Sequence, residues 1–507
     1  MKSFSHLFLK PPASDWLNLL VLFAVIFILI LLSEIIRKKL KWRQEVTRKI
    51  VHISVGLLLL LTPLLLETSL PLLSIALFFT VFNYVALKKN LLPGIHIDRH
   101  NLGTVYYAFS FFLLILLFWE NYKIVIIASM MVMAVGDASA AIIGQNIKSP
   151  HRYQLIQDTK SLEGSLVMFL VSALAIFMTF ILYPPNLATS NHTIFYLFMF
   201  SVAAAIIATA AESLGHRGND NLSVPVITAV VLYFLLSGGR GEHLLFFTGM
   251  ILGAIAAFLS YRARFLNSSG AVSMFVLATV IFGFGGISWT VPILTFFILS
   301  SVLSKVGKSS HEDLFEKGSR RDFTQVMANG GIAGMLMIIY LFAPSPLLYL
   351  AYLGALAAAM ADTWATEIGM RIGQQPYLIS NFQPVPKGTS GGITPAGLSG
   401  ALLGSMILVA SGVPFMQHFQ NARILDIFFI VTLAGFLGSV VDSLLGATFQ
   451  VQFRCGICGK MTERMVHCGN ERTVMVKGLY WMDNDLVNFL NTISGAIFSL
   501  VGLRILI

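Results

Sequence analysis

Long apolar stretches, each ended by charged residues or by Pro and Gly, recur along the whole chain. A helical run of roughly twenty apolar residues matches the thickness of a bilayer's hydrocarbon core. Cutting the sequence at its polar breaks therefore predicts about sixteen membrane-spanning helices. The predicted spans are 17–36, 50–66, 70–87, 105–119, 123–144, 164–183, 194–212, 223–238, 243–260, 271–286, 289–304, 327–343, 347–369, 396–413, 426–446 and 487–506.

Composition agrees with this pattern. Of the 507 residues, 56% are hydrophobic and only 11% are charged, which is more apolar surface than a soluble protein of this length can bury. The first apolar run is too long for the core of a signal peptide, so it is expected to remain as a transmembrane helix. The fold class predicted is all-α, a polytopic integral membrane protein in two related helical bundles.

The positive charges predict the orientation. The loop from Arg37 to Lys49 is the most basic connection, and the positive-inside rule places it in the cytoplasm. Alternate loops counted from it carry most of the remaining Lys and Arg. The net charge of +10 is thus explained by the membrane surface, and no basic run interleaved with aromatic residues suggests nucleic-acid binding. The candidate polar sites are all expected at this cytoplasmic face.

One acidic motif occurs twice. Asp-x-x-Ala-x-x-x-Gly runs from Asp137 to Gly144 and again from Asp362 to Gly369. On a helix these positions share one face, where the small residues allow a ligand or a second helix to approach closely. Close helix packing around an incidental acid is the alternative interpretation.

A lysine in a loop follows each motif. Lys160 precedes Glu163 and Gly164, and Lys387 precedes Gly388. An ammonium group beside glycines and hydroxyl residues at a helix start favours a phosphate group, although neither loop is a Walker A sequence.

Further acidic and amide residues come later in each half, in the same order. They are Glu212, Asp220 and Asn221 in the first half, and Asp442, Asp483, Asn484 and Asp485 in the second. Hard oxygen ligands beside phosphate groups suit Mg²⁺, so these residues are its candidate ligands together with Asp137 and Asp362. The repeated order predicts two domains, 1–240 and 241–507, with an insertion in the loop 447–486.

Each half also contains a basic pair. Arg48 and Lys49 precede His52 in the first half, and Arg320 and Arg321 stand in the second. Neutralisation of a phosphate chain is one interpretation, and anchoring at the membrane surface is the other.

The cysteines lie close together in the inserted loop. Cys455, Cys458, His467 and Cys468 offer three thiols and one imidazole, a set that suits a structural Zn²⁺ site. A redox pair or uncommitted cysteines are the alternatives.

The first half resembles the phytol kinase and dolichol kinase family, which is related to phosphatidate cytidylyltransferases. The resemblance covers about residues 40–240 and rests on RKIVHISVG, NLGTVYYAF, GDASAAIIG, KSLEGS and DNLSVP. It implies CTP binding by Asp137, Lys160 and Glu163.

The second half resembles the phytyl-phosphate kinase family over about residues 250–507. This resemblance rests on GSRRDFTQVMANGG, AAAMADTWATEIG, PVPKGTSGGIT, GSVVDSLLGATFQ, HCG and WMDNDLVNFL. It implies phosphorylation of an isoprenoid monophosphate to the diphosphate.

The sequence thus predicts a bifunctional, CTP-dependent kinase for phytol or a similar prenol. Lys160 and Lys387 are expected to offset charge on the transferring group, and Glu163 or Glu367 to orient or deprotonate the acceptor. Two alternatives remain at this stage. A lipid cytidylyltransferase would use similar groups and release diphosphate, and a two-repeat secondary transporter would also carry intramembrane acids.

Overall fold

The computed structural model describes most of the chain and divides it into two compact units. The N-terminal unit is Met1–His243 and the C-terminal unit is Leu244–Ile507. The described residues are 9–41, 44–89, 91, 101–184, 193–306, 320–372, 375–416, 424–459, 461–463, 465–468 and 471–506. Among these, the side chains of residues 44–46, 48, 59, 63, 306, 471 and 506 are not described.

The N-terminal unit is built from helices, with one short hairpin. Its elements are α1 (Ala13–Leu40), α2 (Gln44–Leu59), α3 (Thr62–Leu65), α4 (Leu70–Lys89), α5 (Gly103–Phe118), α6 (Lys123–Met131), a π-helical turn (Val132–Asp137), α7 (Ala138–Asn146), β1 (Arg152–Gln154), β2 (Thr159–Ser161), α8 (Leu162–Leu182), α9 (Ile194–Ser213) and α10 (Asp220–Ser237). β1 and β2 pair antiparallel.

The C-terminal unit follows the same plan with a larger extramembrane part. Its elements are α11 (Arg240–Arg262), which begins just before the division, α12 (Ser268–Val306), α13 (Phe323–Phe342), α14 (Pro346–Arg371), β3 (Tyr377–Leu378), β4 (Gly392–Ile393), α15 (Pro395–Gly412), a 3₁₀ turn (Val413–Phe415), α16 (Ile424–Thr448), β5 (Gln452–Arg454), β6 (Met461–Thr462), β7 (Val466–His467), β8 (Glu471–Arg472), β9 (Val474–Lys477) and α17 (Asn484–Leu506). β3 pairs with β4, β7 pairs with β8, and β6, β5 and β9 form a three-stranded sheet in that order.

The predicted helical membrane architecture is confirmed, but the count of sixteen spans is not. Thirteen helices among the described residues are long and apolar enough to cross a bilayer. The predicted spans 50–66 and 105–119 correspond to shorter apolar helices, Lys49–Leu58 and Gly103–Phe118. The predicted spans 271–286 and 289–304 are the two helical segments of α12, which meet at a kink at Gly286, where the backbone is not helical.

Each unit is organised around one buried helix that carries the acidic motif. In α14, every residue from Tyr349 to Ala361 is buried, and Asp362 follows at once. In α6 and the π-helical turn, burial is nearly continuous from Val125 to Gly136, and Asp137 follows. Both acids therefore stand where a fully packed helix first reaches a polar surrounding.

The helix order around these two helices is the same. Each acid-bearing helix is followed by a β-hairpin and then by three long helices. Apart from the four-residue α3, four helical segments precede it: α1, α2, α4 and α5 in one unit, and α11, the two segments of α12, and α13 in the other. The two units are thus repeats in topology.

The kink in α12 is tied to the buried helix. Gly286 has φ +64 and ψ −157, a conformation that is available essentially only to glycine. The hydroxyl of Tyr349 donates to the Ser288 carbonyl oxygen at 3.0 Å, and the hydroxyl of Tyr352 donates to that of Trp289. These bonds satisfy carbonyl groups just past the kink, as is needed in a region without water.

Replacing Gly286 with Ala is expected to destabilise the protein through backbone strain. An added Cβ would meet only Leu245 side-chain atoms at 3.5 Å and beyond, so the expected cost of about 1–3 kcal/mol comes from the backbone conformation. Thermal unfolding of the detergent-purified protein measures it. Gly241→Ala, where nothing lies within 4 Å, is the control. Equal unfolding temperatures for both variants would contradict this explanation.

Candidate active sites

A polar cavity of about 420 Å³ lies at one end of the N-terminal unit. Its walls come from the C-terminal ends of α7 and α9, the first turns of α8 and α10, the β1–β2 hairpin, Asn101 just before α5, and Lys49 of α2. Three helix N-termini thus meet at one cavity. The positive ends of their dipoles favour a bound anion.

Three carboxylates converge in this cavity. Asp137, Glu212 and Asp220 each place a carboxylate oxygen within 4.8 Å of the others. Such a group of hard oxygens can hold a divalent cation such as Mg²⁺. The chain brings them together from three separate helices.

Two lysines face the carboxylates. Lys160 Nζ lies 2.5 Å from Glu212 Oε1 and 3.9 Å from Asp220 Oδ2, and it also donates to the Glu212 carbonyl oxygen. Lys49 Nζ lies 3.8 Å from Asp137 Oδ2. Burial alone would lower the pKa of the Lys160 ammonium, but the Glu212 and Asp220 carboxylates outweigh it and raise that pKa above its usual value. Lys160 is therefore charged at neutral pH.

Local sequence explains the close approach of α7 and α8. Ser161 caps α8 by accepting the Gly164 N–H at 3.1 Å. A Cβ on Gly164 would lie 3.2 Å from the Ala140 carbonyl oxygen and 3.7 Å from Gly144 Cα. The small residues of the acidic motif thus serve helix packing, and that packing brings Lys160 next to the cavity.

The C-terminal unit has an equivalent cavity of about 320 Å³. The C-terminal parts of α14 and α16 and the first turns of α13, α15 and α17 line it. The close approach recurs here, since Thr394 caps α15 and a Cβ on Gly397 would lie 3.0 Å from the Ala365 carbonyl oxygen.

Asp362 and Asp442 are hydrogen-bonded to each other in the second cavity. Two carboxyl groups within hydrogen-bonding distance either share a proton or, when both are ionised, need a cation between them. Asp442 Oδ2 is buried and has no hydrogen-bond partner among the described residues. The pair therefore fits a divalent cation.

A third carboxylate, Glu463, comes from the inserted loop. Its Oε1 accepts hydrogen bonds from Ser390 Oγ at 2.9 Å and from Gln450 Nε2 at 2.8 Å. At the start of α17, the position held by Asp220 in the first unit is taken by Asn484. The C-terminal unit thus has an amide instead of an acid at this helix start, and Glu463 adds a carboxylate to the cavity.

Each unit also has an apolar pocket beside its polar cavity. In the C-terminal unit, a pocket of about 150 Å³ lies between α11, α12 and α13, and Asn329 lines both this pocket and the polar cavity. In the N-terminal unit, a pocket of about 110 Å³ is lined by α1, α2, α4 and α5. There Lys49 lines the polar cavity, and His52, one helical turn further along α2, lines the apolar pocket.

Comparison with known proteins gives several matches. A family model described as integral membrane protein DUF92 matches residues 251–496. Protein PGR of Arabidopsis thaliana is 32% identical over 272 residues, covering 48% of this chain and 90% of that protein. A phytol kinase of Synechocystis is 32% identical over 206 residues, covering 40% of this chain and 85% of that protein. The chain belongs to the phytol kinase-like family of integral membrane proteins.

A more distant relative is the chloroplastic protein VTE6 of Arabidopsis thaliana. It is 24% identical over 244 residues, which cover 46% of this chain and 65% of that protein. No solved structure matches the chain.

Most of the residues predicted for this family site line the two cavities. In the first cavity these are Lys49, Asp137, Gly144, Lys160, Gly164, Glu212, Asp220 and Asn221. In the second they are Arg321, Asp362, Glu367, Gly369, Lys387, Gly388, Asp442 and Asn484. Cys455, Cys458, His467 and Cys468 form a separate cluster in the inserted loop.

Other predicted residues lie elsewhere. Glu163 accepts the His151 backbone N–H at 3.1 Å and lies 2.6 Å from His151 Nδ1, outside the first cavity. The His52 ring stacks on Tyr107, with the ring centroids 4.6 Å apart. The side chain of Arg48 lies outside the described residues.

In the C-terminal unit, three predicted residues are not among the described residues that line the cavity. Arg320 is exposed, and Asp483 is an exposed cap whose Oδ1 accepts the Leu486 N–H at 2.9 Å. Asp485 lies in the first turn of α17.

The two basic pairs do not occupy equivalent places. Arg48 and Lys49 lie in α2, whereas Arg320 and Arg321 precede α13, which corresponds in helix order to α5. Sequence reasoning missed Glu463, Gln450 and Asn488, which also line the second cavity. The one available signal was the position of Glu463 between the pair Cys455 and Cys458 and the pair His467 and Cys468.

Replacing Lys160 with Met is expected to destabilise the N-terminal unit by about 3–5 kcal/mol, since it leaves buried carboxylates without their counter-charge. Thermal unfolding in detergent measures this loss. Lys148→Met removes an exposed lysine and is the control. The double variant Lys160→Met/Glu212→Met should recover part of the loss. A Lys160→Met protein as stable as the control would contradict the assignment of Lys160 as the counter-charge of these carboxylates.

Proposed function

We propose that the chain is a bifunctional isoprenoid kinase with one active site in each unit. The N-terminal unit transfers a phosphoryl group from CTP to phytol or a similar prenol, and the C-terminal unit transfers a second one to the monophosphate. The observation that carries the proposal is the repeated cavity, in which carboxylates, a lysine and three helix N-termini meet beside an apolar pocket. The phytol kinase of Synechocystis supports it.

The nucleotide's phosphates bind at the converging helix N-termini. Lys49 and Lys160 in the first cavity, and Arg321 and Lys387 in the second, offset their negative charge. The carboxylate groups would hold Mg²⁺, which would supply positive charge that stabilises the transferring phosphoryl group. Lys160, which lies against Glu212 and Asp220, would contribute its positive charge to the phosphate groups bound beside them. The basic loops predicted near these cavities support a cytoplasmic source of CTP.

The prenyl chain lies in the apolar pocket, and its head group points into the polar cavity. In the first unit, α2 joins the two spaces through Lys49 and His52. The prenol hydroxyl would there lie beside Asp137, which accepts its proton as the oxygen attacks the γ-phosphorus and CDP leaves. Glu163 is not needed for this step, because it faces His151.

The second acceptor differs because it already carries a phosphate. An ionised phosphate oxygen needs no general base, but the added negative charge needs extra donors. Arg321, Gln325 and Asn329 line the second cavity at four-residue intervals, Arg321 two residues before α13 and the other two in that helix. Counted from the helix start, the matching positions at α5 are Asn101, Val105 and Phe109. This difference supports a neutral alcohol in the first site and a monophosphate in the second.

Arg321 is well suited to the acceptor phosphate. Burial lowers the pKa of its guanidinium, and the Glu367 carboxylate opposes that effect. Its backbone is fixed by hydrogen bonds of 3.0 Å to Phe265 and Asn267. Glu367, which also accepts from Arg371 Nη2 at 3.0 Å, positions these cations instead of acting as a base.

Replacing one acid in each unit tests whether each unit catalyses one of the two steps. Asp137→Asn should lower prenol phosphorylation roughly 10²-fold or more, and Asp362→Asn should do the same to monophosphate phosphorylation. Each variant should retain the other activity. Assays with purified protein, CTP, Mg²⁺ and either acceptor measure both steps by lipid mass spectrometry.

The matched controls are Glu120→Gln and Asp483→Asn, which change exposed acids outside the cavities. Loss of both activities from either active-site change would rule out two independent sites.

Arg321→Gln should raise KM for the monophosphate about tenfold or more, because a charge-assisted hydrogen bond is lost. KM for the prenol should stay unchanged. Arg320→Gln, a change at the neighbouring exposed arginine, is the control. Equal effects of the two changes on KM for the monophosphate would remove Arg321 from the acceptor site.

A further inference from the structure

The inserted loop of the C-terminal unit gathers four metal-binding side chains. One ligand atom from each of Cys455, Cys458, His467 and Cys468 lies within 4.8 Å of the others. His467 Nδ1 is 3.5 Å from Cys458 Sγ and 3.1 Å from Cys468 Sγ. Ligands on a tetrahedron around Zn²⁺, with bonds of about 2.0–2.3 Å, are separated by similar distances.

The backbone around Cys455 has the form of a metal-binding turn. The N–H groups of Ile457 and Cys458 donate to the Cys455 sulfur, and the Gly459 N–H donates to the Cys455 carbonyl oxygen at 3.0 Å. Gly459 has φ +69, which lets the chain turn sharply. Amide donors directed at a sulfur stabilise it as a thiolate, the form that binds a metal.

We propose that these four residues bind one structural Zn²⁺ ion, and that this ion fixes Glu463 in the cavity of the C-terminal unit. Three thiolates and the Nδ1 atom of a neutral imidazole complete a tetrahedron. No position is left open for a substrate, so the ion has no direct part in catalysis.

The chain order carries the second half of the proposal. Cys455 and Cys458 lie in the turn between β5 and β6, and His467 and Cys468 lie at the turn between β7 and β8. Glu463 lies between these two turns, one residue after β6. A single ion that binds both turns therefore closes the short segment containing Glu463 and removes much of its conformational freedom.

The ordered Glu463 connects the loop to the cavity. It accepts hydrogen bonds from Ser390, in the loop between β3 and β4, and from Gln450, and it contributes negative charge near Asp442. Zinc would thus act on the cavity indirectly, through one carboxylate. Zinc binding itself does not depend on the proposed function, but this effect on phosphorylation rests on it.

Metal analysis of the purified full-length protein tests the zinc site. Plasma mass spectrometry should find one zinc per chain in protein prepared without chelators, and Cys458→Ser and His467→Gln should lose it. Protein loaded with Co²⁺ should show thiolate-to-cobalt charge-transfer absorption. Met475→Leu, an exposed change in the adjacent strand β9, should keep the zinc.

Wild-type protein without bound zinc, or with a Cys455–Cys458 disulfide by thiol titration, would overturn the assignment. Both measurements use the unaltered chain, so they decide the matter even if a cysteine variant does not fold.

The link to the cavity has its own test. Glu463→Gln should retain zinc and lower phosphorylation of the monophosphate roughly 10–100-fold, the range typical of residues that support a site. Zinc removal from wild-type protein should lower the same step and leave prenol phosphorylation unchanged. If untreated protein contains one zinc per chain but chelated protein still phosphorylates the monophosphate at the same rate, the zinc site stands and its effect on the cavity is refuted. If neither unit phosphorylates a lipid, the proposed function fails while the zinc result stands.

Discussion

Carboxylates at the ends of buried helices need compensating positive charge, and this electrostatic constraint shapes both units. Asp137 and Asp362 each stand where a packed helix first meets a polar space. In the first unit, Lys49 and Lys160 provide the counter-charge. In the second, the carboxyl pair of Asp362 and Asp442 lies with Arg321 and Lys387 in one cavity. The acids that need this compensation are also the groups that can hold a cation, and the lysines and the arginine that compensate them can bind a phosphate chain.

The same constraint explains how a shared topology would support the two proposed reactions. The acid-bearing helix, the hairpin and the capped helix start are repeated, and they build the part of each cavity that would bind the nucleotide. The helix before the acid differs, with Asn101 in one unit and Arg321 in the other at its start. The differences therefore fall on the side of each cavity where the acceptor would enter, which is where two kinases acting in sequence need to differ.

The sequence predicted the membrane architecture and most cavity residues because both depend on local patterns. Apolar runs mark helices, and the spacing from Asp137 to Gly144 marks one helix face. The number of spans is not confirmed, because the predicted spans 271–286 and 289–304 meet at the kink at Gly286 within α12, and the predicted spans 50–66 and 105–119 are shorter helices. Glu163 looked catalytic from its place beside Lys160, yet neighbouring positions at a helix start point in different directions. Glu463 could not be found by comparing the two halves of the sequence, because the loop that carries it has no counterpart in the first half.

Two-step, CTP-dependent phosphorylation of a prenol is tested most directly by following the fate of CTP in the presence of purified protein, Mg²⁺ and phytol. Parallel reactions would use CTP labelled on the γ-phosphate and CTP labelled on the cytidine. We expect only the γ-label to enter the lipid, first in a monophosphate and then in a diphosphate, with CDP released at each step. Cytidine label in the lipid, or no transfer to phytol or any other prenol, would contradict it.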